Sequence, residues 1–86
     1  MYHVDFTPQA LEDLSRIDTV ITKRITAKIQ WLSEHGDQTQ PETLTGRFAG
    51  LYKLRVGDWR VLYTRDTANL VMTVHVIAHR SRVYKL

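Results

Sequence analysis

Leu51-Tyr52-Lys53-Leu54-Arg55-Val56-Gly57-Asp58-Trp59-Arg60-Val61-Leu62-Tyr63-Thr64-Arg65 holds two β-rich runs around a two-residue break. In the first run Tyr52, Leu54 and Val56 alternate with Leu51, Lys53 and Arg55, the period of two that a strand imposes on its faces. Gly57-Asp58 can then turn the chain tightly, because glycine takes the positive φ that a two-residue hairpin asks for. Trp59 to Arg65 resumes the β-rich composition, so the stretch predicts a β-hairpin. If Tyr52, Leu54 and Val56 pack under a cover, Lys53 and Arg55 share the open face. Arg60, two residues past the turn, can join them. No acidic residue stands between Leu51 and Arg55 to balance this charge, and no remaining element is large enough to cover it. Two readings stand at this point: a solvated face that guards the strand against aggregation, and an anion site, which would also relieve the unbalanced charge.

Working outward, Asp66-Thr67-Ala68-Asn69 predicts a second turn, and Leu70 to Ala78 is long and apolar enough for a central strand. Upstream, residues 37–50 are polar and broken by Pro41, Gly46 and Gly50, which predicts a connecting loop with at most one helical turn. At the start, Tyr2, Val4 and Phe6 alternate as a half-buried strand. Thr7-Pro8 supplies an N-cap followed by a proline where its missing N–H costs nothing. Leu11, Leu14 and Ile17 continue a first helix. Asp18 or Thr19 caps a second, with the stripe Ile21, Ile25, Ile29 and Leu32 and an end at Gly36. Trp31 is expected to pack with that stripe. The fold class is α+β, in the order β-α-α-β-β-β: a helix hairpin on one face of an antiparallel-rich sheet, with a short C-terminal tail.

Length and charge narrow the function. Eighty-six residues, 43% of them apolar, make one domain over 1–86. With no cysteine, a disulfide framework and cysteine chemistry are excluded. The first residues lack a basic head with an apolar run, and no stretch approaches the length that spans a bilayer, so a soluble cytoplasmic protein with no membrane partner is expected. Residues 1–46 carry 4 basic and 7 acidic side chains, whereas residues 47–86 carry 8 basic and 2 acidic. A cationic half rich in arginine, with Tyr52, Trp59, Tyr63 and Tyr84 interleaved, is the composition expected where a polyanion is held, and nucleic acid ranks first.

Other residues point less far. His75 and His79, at i and i+4 on a strand, stand about 13 Å apart, too far to hold one metal together; no metal site and no cofactor are expected. His79, next to Arg80, is a candidate proton carrier. Asp58 is first of all a turn residue. Trp59 and Tyr63 share a parity opposite to Arg60 and are expected in the core. The serines Ser15, Ser33 and Ser81 have no partner at a recognisable spacing.

Leu44-Thr45-Gly46, the run from Gly50 to Tyr63, and Ile77-Ala78-His79-Arg80-Ser81-Arg82-Val83-Tyr84 together resemble the RelE branch of the RelE/ParE toxin superfamily, over the whole chain. The resemblance implies a type II toxin whose partners are a cognate antitoxin, the ribosome and mRNA: a ribosome-dependent endoribonuclease that cuts mRNA in the decoding site without a metal. By position it implies a catalytic set of Lys53, Arg55, Arg60, Arg80 and Tyr84, with Arg47, Arg82 and Lys85 as further RNA contacts. In that scheme the substrate's own 2′-hydroxyl attacks phosphorus. Lys53 would be the base, its pKa depressed by Arg55, Arg60 and Arg80; Arg55 and Arg60 would hold phosphate oxygens; Arg80 would stabilise charge, and Tyr84 would stack on or orient a base. Three features depart from the family pattern: a tail ending two residues after Tyr84, Arg55 where some relatives have lysine, and Ala78 where glycine is common. A ParE-like gyrase poison, with the same fold and no nuclease chemistry, is the alternative.

Overall fold

In a computed structural model of the chain, described for residues 1–38 and 40–85 with the side chain of Asp37 left out, five strands and two helices form two layers. The order is β1 (His3–Phe6), α1 (Pro8–Ser15), α2 (Thr19–His35), β2 (Glu42–Thr43), β3 (Tyr52–Val56), β4 (Trp59–Asp66) and β5 (Val71–His79). The sheet runs β1-β5-β4-β3-β2. β2 to β5 pair antiparallel, while β1 returns parallel to β5, making the sheet mixed. The helix hairpin and the meander from β2 to β4 together form the long connection that returns the chain beside β1 in the same sense.

The hairpin forms as read: Tyr52 faces Tyr63, Leu54 faces Val61, and Val56 faces Trp59, all on the helix side. Gly57 sits at φ 58°, while Asp58 is not left-handed, so the glycine occupies the one position of the turn that requires it. Thr7 caps α1, its hydroxyl accepting from the Ala10 N–H at 3.1 Å and donating to the His75 carbonyl at 3.2 Å. One side chain thus starts a helix and ties it to β5. Ile25, Ile29 and Leu32 of α2 and Ala10 of α1 pack on Val61, Tyr63, Met72, Val74 and Ile77.

Four local expectations are corrected. Leu11 is exposed, and α1 instead buries Ala10, with Leu14 and Ile17 at the core's border, because spacings of four and three track the helix better than a run of threes. Trp31 is 41% exposed, one residue off the Ile25–Ile29–Leu32 stripe, and stacks on His35 at 4.7 Å with Lys28 above the ring at 4.6 Å. Gly36 ends α2 without a left-handed turn, continuing into a 3-10 turn; its missing side chain admits Tyr2, whose ring would lie 3.0 Å from an added Cβ. Residues 37–50 are more than a loop. Glu42–Thr43 pairs with β3 as an edge strand, and Gly46–Phe48 forms a 3-10 turn.

The alternation along β5 is also broken. Leu62 faces Val76 but Tyr63 faces Val74, so His75 bulges out of register and its Nε2 lies 2.9 Å from the Thr64 hydroxyl. No described helix is long and apolar enough to cross a membrane.

Candidate active site

Because Leu54 and Val61 point into the core, their neighbours Arg55 and Arg60, opposite each other on β3 and β4, point to the other face of the sheet. Lys53, opposite Leu62, lies two residues along β3, about 6.6 Å away. Arg80 follows β5 at the hairpin end, where its N–H donates to the Asp58 carbonyl at 2.8 Å and its Nε stands 3.6 Å from the Asp58 carboxylate. Lys53, Arg55 and Arg60 thus share the outer face, and Arg80 stands at its hairpin end. Arg60 is anchored by two bonds from one guanidinium nitrogen, to the carbonyls of Gly57 and Trp59, each 2.9 Å.

This face is partly covered, contrary to the expectation from the sequence. The 3-10 turn Val83–Lys85 folds back over it, burying Val83 and Leu62 completely. Arg47 of the other turn donates to the Tyr84 carbonyl at 3.1 Å, and Phe48 meets the Tyr84 ring edge-on at 6.0 Å. Tyr84, itself 44% exposed, leans over Lys53, whose Nζ is 5.7 Å from the ring centroid. Short turns suffice because they need to shield one lysine and one leucine only. Tyr84 and Arg47 thereby reach the cationic face.

Nor does the charge lack a counter-ion. Glu42 on β2, opposite Lys53 in register, places one carboxylate oxygen 3.1 Å from Lys53 Nζ and 3.0 Å from Arg55 Nη2. The Lys53 side chain is 13% exposed, against 46% for Glu42 and 61% for Arg55. The Tyr84 hydroxyl and Glu42 hold the Lys53 ammonium above the ordinary lysine range, outweighing the effect of burial, and Lys53 and Arg55 in turn hold Glu42 below the usual carboxylate range. The expected depression of Lys53 by neighbouring arginines is thus overturned: its closest charged partner is an anion, and in this arrangement it is a proton holder. The sequence carries little sign of this pairing. Its only signal was an acidic residue in a β-compatible Glu-Thr-Leu after Pro41.

Two other expected participants sit elsewhere. Arg82 lines a cleft between α1 and the end of β5 with Asp13, Arg16 and Trp59, on the helix side of the sheet. His79 faces the same side, its ring edge-on to Trp59 at 5.4 Å and its Nδ1 2.9 Å from the Ser81 hydroxyl, so it does not share a face with Lys53. Lys85 is exposed in the last turn. Among the described residues no three His, Asp or Glu side chains cluster as a metal site would need.

Two helices packed on a mixed five-stranded sheet are the architecture of RelE toxin structures. A family profile described as the ParE toxin of the type II toxin-antitoxin system parDE matches residues 4–84, and the chain belongs to that superfamily. Among solved structures it resembles the RelBE2 toxin–antitoxin complex of Mycobacterium tuberculosis, at 26% identity and a TM-score of 0.81 over 92% of this chain and 98% of the other. The isolated E. coli RelE toxin matches at 21% identity and a TM-score of 0.77, covering 99% and 93% of the two chains. The archaeal RelE–RelB complex of Pyrococcus horikoshii matches at 21% and 0.70, covering 95% and 98%. No curated protein sequence matches the chain.

Proposed function

We propose that this toxin is a ribosome-dependent endoribonuclease that cuts mRNA in the decoding site, held in check by a cognate antitoxin. The observation that carries the reading is the outer sheet face shared by Lys53, Arg55 and Arg60, with Tyr84 over Lys53 and Arg80 held at the hairpin end by Asp58. In-line attack of a 2′-hydroxyl on the adjacent phosphorus yields a 2′,3′-cyclic phosphate and a 5′-hydroxyl: the 2′-hydroxyl proton passes to solvent water, the P–O5′ bond breaks as the P–O2′ bond forms, the 5′-oxygen takes a proton from Lys53, and the extra negative charge on phosphorus must be met by preorganised donors. Arg55 and Arg60 suit that task, because a planar guanidinium can grip two oxygens at once. Arg80 adds charge at the hairpin end. Lys53, kept protonated, acts as a donor to the phosphate and its leaving oxygen, in place of the base role expected from the sequence. Tyr84, exposed beside Lys53, offers a ring to a splayed base.

Dependence on the ribosome follows from what the face lacks. Cations on a sheet face bind phosphates without reading sequence or bending the strand, and positioning is worth several kcal/mol of barrier. Single-turnover rates on one transcript, free and programmed into ribosomes, test the reading; fast cutting only of ribosome-bound mRNA is expected, and comparable rates in both arms would refute it.

The profile match to ParE favours a second reading, a gyrase poison without nuclease activity. Expression without antitoxin separates the two. Translation arrest with shortened transcripts supports the nuclease, and replication arrest with intact transcripts supports the poison.

A further inference from the structure

We propose that the Glu42 carboxylate is a resident anion in the seat that a substrate phosphodiester takes between Lys53 and Arg55, so that RNA enters by exchanging one anion for another. The proposal rests on the RNA-cleaving reading only for the identity of the incoming anion.

Three observations carry it. One Glu42 oxygen bridges the two cations at 3.1 and 3.0 Å, the placement that a non-bridging phosphate oxygen would adopt. Lys53 is recessed while Glu42 stands outside it, so the carboxylate occupies the solvent side of the ammonium, where an incoming anion has to bind. Glu42 also lies on a strand of two residues, attached to β3 through two register pairs and a long backbone bond from the Leu44 N–H to the Leu51 carbonyl at 3.3 Å, with Pro41 before it and left-handed glycines at Gly46 and Gly50 after it. Such a segment can withdraw without disturbing the core. A plain brace between edge strands would also pair Glu42 with Lys53, but a brace has no need to engage Arg55, 61% exposed, with the same oxygen. The functional consequence is a self-limited affinity: free RNA must compete with a tethered anion, and only a strand already held in place displaces it readily.

The test is binding of a fluorescent, uncleavable 2′-O-methyl single-stranded RNA, read by anisotropy. Glu42→Gln, which keeps the shape and removes the charge, should tighten binding about tenfold, the scale of losing one like charge beside the incoming phosphate. Adding Lys53→Gln to that variant should erase the gain. Should Glu42→Gln fold poorly, the wild-type protein still decides: with 13C-labelled glutamate and 15N-labelled lysine, the Glu42 carboxyl resonance should move as RNA is added, in step with the Lys53 ammonium. Unchanged or weaker RNA binding by a folded Glu42→Gln, or a Glu42 resonance that stays put at saturating RNA, overturns the exchange. Tightened RNA binding in a protein that cleaves no mRNA on ribosomes would instead refute the nuclease reading and leave the exchange standing.

Discussion

Asp13 on α1 accepts a hydrogen bond from the backbone N–H of Ile77 at 3.0 Å, across 64 residues of chain. β1 pairs with β5 only as far as Phe6 and Val74, so beyond that point the edge of β5 has no strand beside it, and the Asp13 carboxylate satisfies a donor there. The bond fixes the end of β5, from which Arg80 and Tyr84 follow.

Asp13→Ala should therefore leave a part-buried N–H without its partner and destabilise the fold by about 1–2 kcal/mol, while Asp13→Asn, which retains an acceptor oxygen, should lose less. Denaturant unfolding of the two variants measures the difference. Equal stability of Asp13→Ala and wild type would show that water replaces the carboxylate.

Lys53→Ala and Lys53→Arg distinguish a charged donor from a base. If Lys53 acts protonated, alanine should slow ribosome-bound cleavage by about 10²-fold and arginine should retain most of the rate. A Lys53→Arg protein as inactive as Lys53→Ala would restore the base.

Arg80→Ala should reduce cleavage by about 10²-fold or more with little loss of stability, because its contact with Asp58 is long and both side chains are exposed. Matched thermal melts and single-turnover rates check both halves; a large drop in melting temperature would make Arg80 a structural residue.

The Glu42–Lys53 pair should stabilise the protein only inside a pH window. The folded Lys53 pKa is raised, so its contribution is full below the ordinary lysine value of 10.5 and fades as pH rises through the higher folded value. The Glu42 pKa is lowered, so its contribution is full above the ordinary value of 4.5 and fades as pH falls through the lower folded value. A double-mutant cycle with Glu42→Gln and Lys53→Met, run across pH, should show coupling that vanishes at both ends. Coupling constant from acid to alkaline pH would deny the ion pair.

Gly57→Ala should cost about 1–2 kcal/mol, the price of a left-handed residue with a side chain. An added Cβ would meet Arg24 at an unstrained 3.5 Å, so the loss is one of backbone conformation and not of crowding. Unfolding of this variant by urea provides the figure, and wild-type stability would show that the turn can change type.

Neighbouring residues were enough to read much of this protein. The alternation of Tyr52, Leu54 and Val56 with Lys53 and Arg55, the glycine at 57, the Thr7-Pro8 start and the Ile21–Leu32 stripe each act within a few positions, where the strand and helix periods and turn sterics operate. They were sufficient for the helix hairpin, the β-hairpin and the shared face of Lys53, Arg55 and Arg60. The electrostatic state of that face lay beyond them. Glu42 is 13 residues from Arg55 and reaches it only because a two-residue strand adds to the sheet edge. Tyr84 lies over Lys53 because the tail turns back across Leu62. A bulge of one residue at His75 resets which side chains of β5 face the helices. Local sequence governs which way a side chain points along its own strand, but whether a lysine is hemmed by arginines or paired with a carboxylate depends on which strand packs beside it, and that is settled by the burial of the whole sheet.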